Sequence, residues 1–222
     1  MSRLAAFLLA PVVLVQGRAL RRGIPRLRPA EPRSGGSRAP DALRLLVLGD
    51  STAVGTGVAQ MSDAVAGQVA RRRVEPVAWR VIGANGLTSQ QVRAAHLPDA
   101  LAEPADLIVL LVGWNDALRL RSAAAFGDDA GALLEALRLR NPEARLVLVA
   151  PPRFGRFAVL PQPLRAALGA HVAGLTRAAA RVAAAHGAVI VAGLDGLQVA
   201  SDRFHPDADG YAGLAERIVA AI

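Results

Sequence analysis

The stretch LLVLGDS, residues 45–51, is an unbroken apolar run that ends in a glycine, an acid and a hydroxyl. A run without polar alternation predicts a β-strand that is buried on both faces, as in a parallel sheet. Gly49 allows a sharp turn after this strand, which leaves Ser51 at the edge where open α/β sheets bind their ligands. The same tripeptide is also common as a plain turn in which Asp50 or Ser51 caps a helix. Other parts of the chain decide between these two interpretations.

Four more apolar runs follow along the chain, and helical sequence separates them. The runs cover residues 77–82, 107–112, 145–150 and 188–192, and helices are predicted over residues 122–140, 164–186 and 208–221. Strands that alternate with helices favour a parallel sheet with helices on both faces. The sequence therefore predicts an α/β fold with a five-stranded parallel sheet.

The charge of the chain is concentrated near its N-terminus. Residues 1–40 contain eight arginines and one acid, so they carry +7 of the formal net charge of +8. Only +1 remains for residues 41–222. The folded part therefore has no basic excess of the kind that indicates a nucleic-acid partner.

Residues 4–15 are apolar, and arginines follow them closely. A helix of about twelve residues reaches roughly 18 Å, which is shorter than the hydrocarbon core of roughly 30 Å. We expect residues 1–24 to be a membrane-associating or signal-like segment, with residues 4–28 meeting the membrane surface. Basic residues on the C-terminal side of the apolar run favour a cytoplasmic location for the catalytic domain. The alternatives are that this segment is an export signal or an ordinary first helix of the domain. Pro, Gly and Arg in residues 25–42 predict a flexible linker without regular structure.

Several kinds of chemistry are excluded by residues that the chain lacks. It has no cysteine, so it has neither a thiol nucleophile nor a cysteine metal site. All 26 basic residues are arginine, which rules out a Schiff base or a P-loop lysine. Gly55 and Gly57 do not begin a dinucleotide-binding motif because no third glycine follows three residues later. His96, His171 and His186 share no ligand spacing, so no metal and no cofactor are predicted.

Three polar motifs accompany Ser51 when the predicted elements are set in order. The turn after the second strand, residues 83–89, is rich in glycine, and its backbone N–H groups can point at an anion. Asn115 follows the third strand and can aim a side-chain N–H into the same cleft, or else Asn115 or Asp116 caps the next helix. His205 precedes the last helix, and Asp202 lies three residues before it. A serine nucleophile needs such an imidazole as its base, and the imidazole needs an acid that fixes its tautomer.

In this order and at these positions, the motifs resemble those of the SGNH (GDSL-type) hydrolase family, and the resemblance covers residues 43–222. It implies a three-layer α/β/α sandwich of the flavodoxin-like type, in agreement with the five predicted strands. It also implies a catalytic triad in which Ser51 is the nucleophile, His205 is the base and Asp202 is the acid.

The same resemblance implies an oxyanion hole made of the backbone N–H groups of Ser51 and Gly86 and the side chain of Asn115. Gly83 competes with Gly86 for this role, but the turn Gly-Leu-Thr-Ser, which begins at Gly86, is similar to the family's Gly-x-Thr-Ser turn. Trp114 fills the variable position between a glycine and Asn115, where a large ring narrows or walls the cleft.

The resemblance implies hydrolysis of carboxylic esters through an acyl-enzyme, without a cofactor or a metal. The apolar arm favours a lipid or lysophospholipid ester as the substrate. One alternative is an enzyme of the same fold, an acetylesterase or acyltransferase that acts on small or sugar esters. The other belongs to a different class of function: a catalytically silent, membrane-tethered binding module. Apolar residues in the loop over residues 153–163 either line a substrate pocket or pack on the core. The sequence indicates neither the acyl-chain length nor the oligomeric state.

Overall fold

A six-stranded sheet forms the centre of the computed structural model, which describes residues 27–153 and 160–222 together with residues 11–12, 15–17 and 19. The strands are β1 (Ser34–Gly36), β2 (Leu43–Gly49), β3 (Val77–Gly83), β4 (Leu107–Leu111), β5 (Arg145–Val149) and β6 (Val189–Val191). Their order in the sheet is β1-β3-β2-β4-β5-β6, and β2 to β6 are mutually parallel. The predicted α/β fold with five parallel strands is confirmed.

Helices cover both faces of the sheet. They are α1 (Val65–Arg72), α2 (Ser89–Ala102), α3 (Trp114–Leu118), α4 (Ala123–Arg140), α5 (Leu164–Ala185) and α6 (Ala208–Val219). On one face, Leu45 and Val47 of β2 share a core with α1 and α6. On the other face, Leu46 and Leu48 share a core with α2, α4 and α5. Because alternate side chains of β2 enter two different cores, the strand is apolar at every position, and the fold has three layers.

The sixth strand lies in the segment that was predicted to be a linker without regular structure. β1 pairs antiparallel with β3 at the edge of the sheet. Its two glycines let the strand approach Trp79, because a Cβ on Gly35 would come within 2.7 Å of the indole ring. The glycines that suggested flexibility therefore serve close packing at this edge.

The predicted membrane-associating segment, residues 1–24, lies largely outside the described residues. Within the described part of the chain, every helix is too short or too polar to span a bilayer. The side chain of Gln16 accepts a hydrogen bond from the backbone N–H of Leu164 and donates one to the carbonyl of Gln162. Residues 154–159 of the apolar loop also lie outside the described residues, and Leu160 packs in the core.

Candidate active site

Ser51, Asp202 and His205 lie together at the carboxyl edge of the sheet. The Nε2 atom of His205 lies 2.8 Å from Oγ of Ser51. The Nδ1 atom of His205 lies 2.5 Å from a carboxylate oxygen of Asp202. Both distances are within hydrogen-bond range. The structure thus forms a continuous hydrogen-bonded chain from the hydroxyl through the imidazole to the acid.

Asp202 is held as a carboxylate by its surroundings. Its side chain is fully buried, and burial alone would raise its pKa. The carboxylate accepts hydrogen bonds from the imidazole of His205 and from the backbone N–H groups of Phe204 and His205. Together these hydrogen bonds outweigh the effect of burial, so the pKa of Asp202 lies below its usual value. Asp202 is therefore ionised at neutral pH. A buried anion in this position fixes the Nδ1–H tautomer of His205 and leaves Nε2 as the acceptor that faces Ser51.

The start of α6 holds the loop that carries His205. Asp207 caps this helix by accepting a hydrogen bond from the backbone N–H of Gly210. One turn into the helix, the hydroxyl of Tyr211 donates to the backbone carbonyl of Thr56, which lies in the turn that follows the nucleophile. Gly57 approaches the same loop so closely that a Cβ there would lie 2.2 Å from the carbonyl oxygen of Pro206. These contacts fix the distance between the two loops on which the serine and the imidazole lie.

Asn115, in the first turn of α3, lies beside the buried side chain of Asp50. Its side-chain amide donates a hydrogen bond to Asp50 at 3.2 Å, and the other carboxyl oxygen of Asp50 accepts the backbone N–H of Thr52. Burial raises the pKa of Asp50 to about 7, although both hydrogen bonds act against that rise. Only one of the two N–H groups of the Asn115 amide is engaged in this way. The sequence suggested a cap role for Asp50 and gave no sign that it orients Asn115.

The structure separates the two glycines that competed for a place in the oxyanion hole. Gly83 ends β3 beside Gly49, and a Cβ on Gly83 would lie 2.0 Å from the carbonyl oxygen of Gly49. Gly86 has a φ of 79° and open space where a Cβ would be. Its carbonyl accepts a hydrogen bond from Arg119. Close strand packing therefore explains Gly83, while Gly86 lies in a half-buried turn with open space beside its Cα.

A buried ion-pair network connects the Gly86 turn to the Asn115 helix. Asp116 is fully buried and accepts hydrogen bonds from the backbone N–H and the hydroxyl of Ser89, at 2.9 and 2.7 Å. Arg121 donates to Asp116 at 2.9 Å and to Asp129 at 2.7 Å. Asp116 was one of two candidate caps for the following helix, but its carboxylate binds the start of α2 instead. Nothing in the local sequence distinguishes the two roles.

No metal-binding cluster occurs in the part of the chain that the structure describes: no group of three or more His, Cys, Asp or Glu side chains there could hold an ion. The imidazole of His205 is engaged on both nitrogens by Ser51 and Asp202. The ring can therefore accept the proton of Ser51 at Nε2 while Asp202 holds Nδ1.

Comparison with known proteins agrees with this architecture. Residues 47–212 match the model of the GDSL-like lipase/acylhydrolase family. A GDSL-like esterase of Mycobacterium tuberculosis is 31% identical over 204 residues, which cover 82% of this chain and 62% of that protein. The chain thus spans about 62% of the length of the curated relative that it matches.

Two solved structures show the same fold at low sequence identity. Phospholipase A1 from Streptomyces albidoflavus is 18% identical, with a TM-score of 0.61, and the match covers 82% of this chain and all of that one. An acetyl-xylooligosaccharide esterase from Geobacillus is 17% identical, also with a TM-score of 0.61, and the match covers 81% of this chain and 93% of that one. With most of the chain matched by the family model, the protein belongs to the GDSL-like lipase/acylhydrolase family.

Proposed function

We propose that this protein is a serine esterase that hydrolyses carboxylic esters through an acyl-enzyme. The observation that carries the proposal is the hydrogen-bonded chain from Ser51 through His205 to Asp202. In that arrangement the imidazole can take the hydroxyl proton as oxygen attacks the ester carbonyl, and the carboxylate stabilises the imidazolium that forms.

The same imidazole serves both halves of the reaction. After attack, His205 carries the proton from Ser51 and delivers it to the leaving alcohol, which leaves the acyl group on the serine oxygen. Water then takes the place of the alcohol and gives its own proton to His205. The acid is released when that proton returns to Ser51.

The oxyanion that forms in each half is stabilised by three N–H donors. They are the backbone N–H groups of Ser51 and Gly86 and the side-chain amide of Asn115. Asp50 holds one N–H of that amide, which leaves the second N–H for the oxyanion. Each such donor contributes about 3 kcal/mol to transition-state stabilisation in comparable sites.

Both the acid and the alcohol of the ester substrate remain to be assigned. The sequence favours a lipid or lysophospholipid ester, and the alternative is an acetyl or sugar ester or transfer to another acceptor. Hydrogen-bond contact between all three catalytic side chains supports turnover over the alternative of a silent binding module. The structural relatives act on both kinds of substrate by name, so the fold alone does not choose between them.

The experiment that tests the reaction compares the full chain with Ser51→Ala and His205→Ala. Wild type should hydrolyse p-nitrophenyl acetate and react covalently with a fluorophosphonate probe. Ser51→Ala should lose both, and each single variant should lower kcat roughly 10⁴-fold or more. The double variant should be no slower than either single one, because the two groups act as a unit.

A matched control is Ser62→Ala, which removes the hydroxyl of an exposed serine outside the site. It should keep wild-type labelling and turnover. Equal labelling and turnover of wild type and Ser51→Ala would overturn the assignment of the nucleophile. Failure of wild type to react with either reagent would overturn the proposed function.

The membrane association of residues 4–28 is proposed from sequence alone, and with it a catalytic domain on the cytoplasmic side. The full chain should float with vesicles that contain about one-third anionic lipid, and a variant that begins at residue 27 should not. Recovery of both proteins in the unbound fraction would contradict membrane association and leave the esterase proposal intact.

A further inference from the structure

A small crevice lies at the carboxyl edge of the sheet, beside the turn that carries Ser51. Its free volume is about 20 Å³, which is room for a single water-sized group. The residues that enclose it include Asp50, Thr52, Trp114, Val149, Pro152 and Leu194. Two of these, Asp50 and Thr52, flank Ser51 in the chain. A methyl group fits within such a space, whereas a fatty-acyl chain would have to extend out of it.

Trp114 lines this crevice and contacts both segments of the site. It directly precedes Asn115, and its ring meets the ring of Phe204 edge-on, with centroids 6.1 Å apart and planes at 90°. Phe204 in turn directly precedes His205. The tryptophan thus joins the segment that carries the proposed oxyanion donor to the segment that carries the proposed base, and movement of its ring would disturb this aromatic pair.

The stereochemistry of ester attack indicates which part of a substrate meets this wall. In the tetrahedral intermediate, one substituent is Oγ of Ser51, the oxyanion faces its N–H donors, and the leaving oxygen must lie near Nε2 of His205. The acyl substituent takes the remaining direction. We assign this direction to the crevice that Asp50 and Thr52 line, because these two residues flank Ser51 in the chain.

The space on the histidine side is much larger. A groove of about 510 Å³ is lined by Arg28, Gly57, Val58, Ala200 and Asp207, among others. Gly57 lies against the loop of the base, since a Cβ there would be 3.3 Å from Cβ of His205. The leaving alcohol is the substrate part that departs toward this histidine, so a bulky alcohol meets less restriction than a bulky acid.

We propose that this enzyme acts on esters of short carboxylic acids, acetyl esters above all, and that Trp114 sets the limit on acyl length. The proposal rests on the proposed function, because it assigns a substrate class to that same site. It favours an ester of a small acid with a bulky alcohol over a fatty-acyl ester. Trp114 is a specificity-determining residue in this account, and the chemical step does not require it.

The test measures kcat/KM of the full chain for p-nitrophenyl acetate, butyrate, octanoate and palmitate, in wild type, Trp114→Phe and Trp114→Ala. A fluorophosphonate titration counts the active sites in each preparation, so a partly folded variant does not distort the comparison. Trp79→Phe is the matched control, because it alters the only other tryptophan of the chain, at the far edge of the sheet next to β1.

In wild type we expect kcat/KM for p-nitrophenyl acetate to exceed that for the octanoate by about 100-fold or more, a discrimination that a narrow pocket can supply. Trp114→Ala should reduce this ratio by about tenfold or more, Trp114→Phe by less, and Trp79→Phe should keep it. Wild-type turnover of octanoate equal to that of acetate would overturn the proposal, as would an unchanged ratio in both Trp114 variants. Absence of both turnover and probe labelling in wild type would instead refute the proposed function and this inference with it.

Discussion

Asp116 accepts both the backbone N–H and the hydroxyl of Ser89, and this pair joins two segments of the candidate site. Asp116 follows Asn115 in α3, and Ser89 begins α2 three residues after Gly86. The contact is fully buried, so its hydrogen bonds are stronger than they would be in water and costly to lose. The relative position of the two proposed oxyanion donors therefore depends on a carboxylate that does not itself face the cleft.

We expect Asp116→Asn to impair both stability and turnover. The change removes one of the two carboxylates that Arg121 binds and presents an NH₂ group to donors of Ser89, so it should lower the free energy of unfolding by about 1–3 kcal/mol. The donors would then be less well placed, and kcat should fall roughly tenfold. Urea denaturation and steady-state turnover of p-nitrophenyl acetate measure the two effects. Asp128→Asn, an exposed acid of α4, serves as control, and equal behaviour of the two variants would contradict the role of Asp116.

The two glycines after β3 should respond differently to alanine. Gly83→Ala places a Cβ against the carbonyl of Gly49, so β2 and β3 must separate where the nucleophile turn begins. We expect a loss of more than about 4 kcal/mol in the free energy of unfolding, or no folded protein. Gly86→Ala meets no atom and has only the strain of its positive φ, about 1–2 kcal/mol. Thermal unfolding of both variants distinguishes them, and a folded Gly83→Ala as stable as Gly86→Ala would be inconsistent with this packing.

The central sheet could be predicted from sequence because its strands are buried on both faces. In β4, every residue from Leu107 to Leu111 is buried, so the run is apolar at each position and stands out from its surroundings. β1 has no such signal. It consists of a serine and two glycines at the edge of the sheet. It forms a strand because it pairs with β3, which is distant in the sequence, and because its glycines pack on the ring of Trp79. Pairing of that kind depends on the tertiary fold and leaves no local pattern.

The candidate site divides in the same way. Ser51, Asn115, Asp202 and His205 could be proposed because each stands at the end of a recognisable element. The acids that position them could not, because a buried acid near a helix start has the same local sequence as a helix cap. Asp50 bonds across 65 residues of chain, and only the fold brings such partners together.

The buried carboxyl of Asp50 should make stability depend on pH. Burial raises its pKa to about 7 in the folded protein from 3.8 as its unperturbed value. An acid with a raised pKa stabilises the fold fully below its unfolded pKa, and this contribution is lost as the pH rises through the folded pKa. The window of loss therefore runs from about pH 4 to about pH 8.

Comparison of wild type with Asp50→Asn isolates this effect, because asparagine does not ionise. The free energy of unfolding of wild type minus that of the variant should be larger at pH 5 than at pH 8, by about 3 kcal/mol. Urea denaturation at the two pH values measures it, with Asp128→Asn as control for the loss of an exposed acid. A difference that stays constant with pH, or that grows toward pH 8, would contradict a raised pKa at Asp50.

The segment just before β2 supports the nucleophile turn directly. Ala30 is fully buried, and its N–H donates to the carbonyl of Val54, three residues after Ser51. Glu31 donates to the carbonyl of Ala59 and accepts from the N–H of Met61. The segment that the sequence suggested as a linker is therefore part of the folded domain from about residue 27 onward.

Two N-terminal truncations should consequently behave differently. A variant that begins at residue 27 keeps Ala30 and β1, and its free energy of unfolding should equal that of the full chain within about 1 kcal/mol. A variant that begins at residue 41 loses three backbone hydrogen bonds around the nucleophile turn and the whole β1 pairing, so it should be less stable by about 3 kcal/mol or more. Urea denaturation measures the stability, and p-nitrophenyl acetate turnover should fall with it, because the turn beneath Ser51 is no longer held. Equal stability and turnover of the two truncations would mean that residues 27–40 are only a spacer.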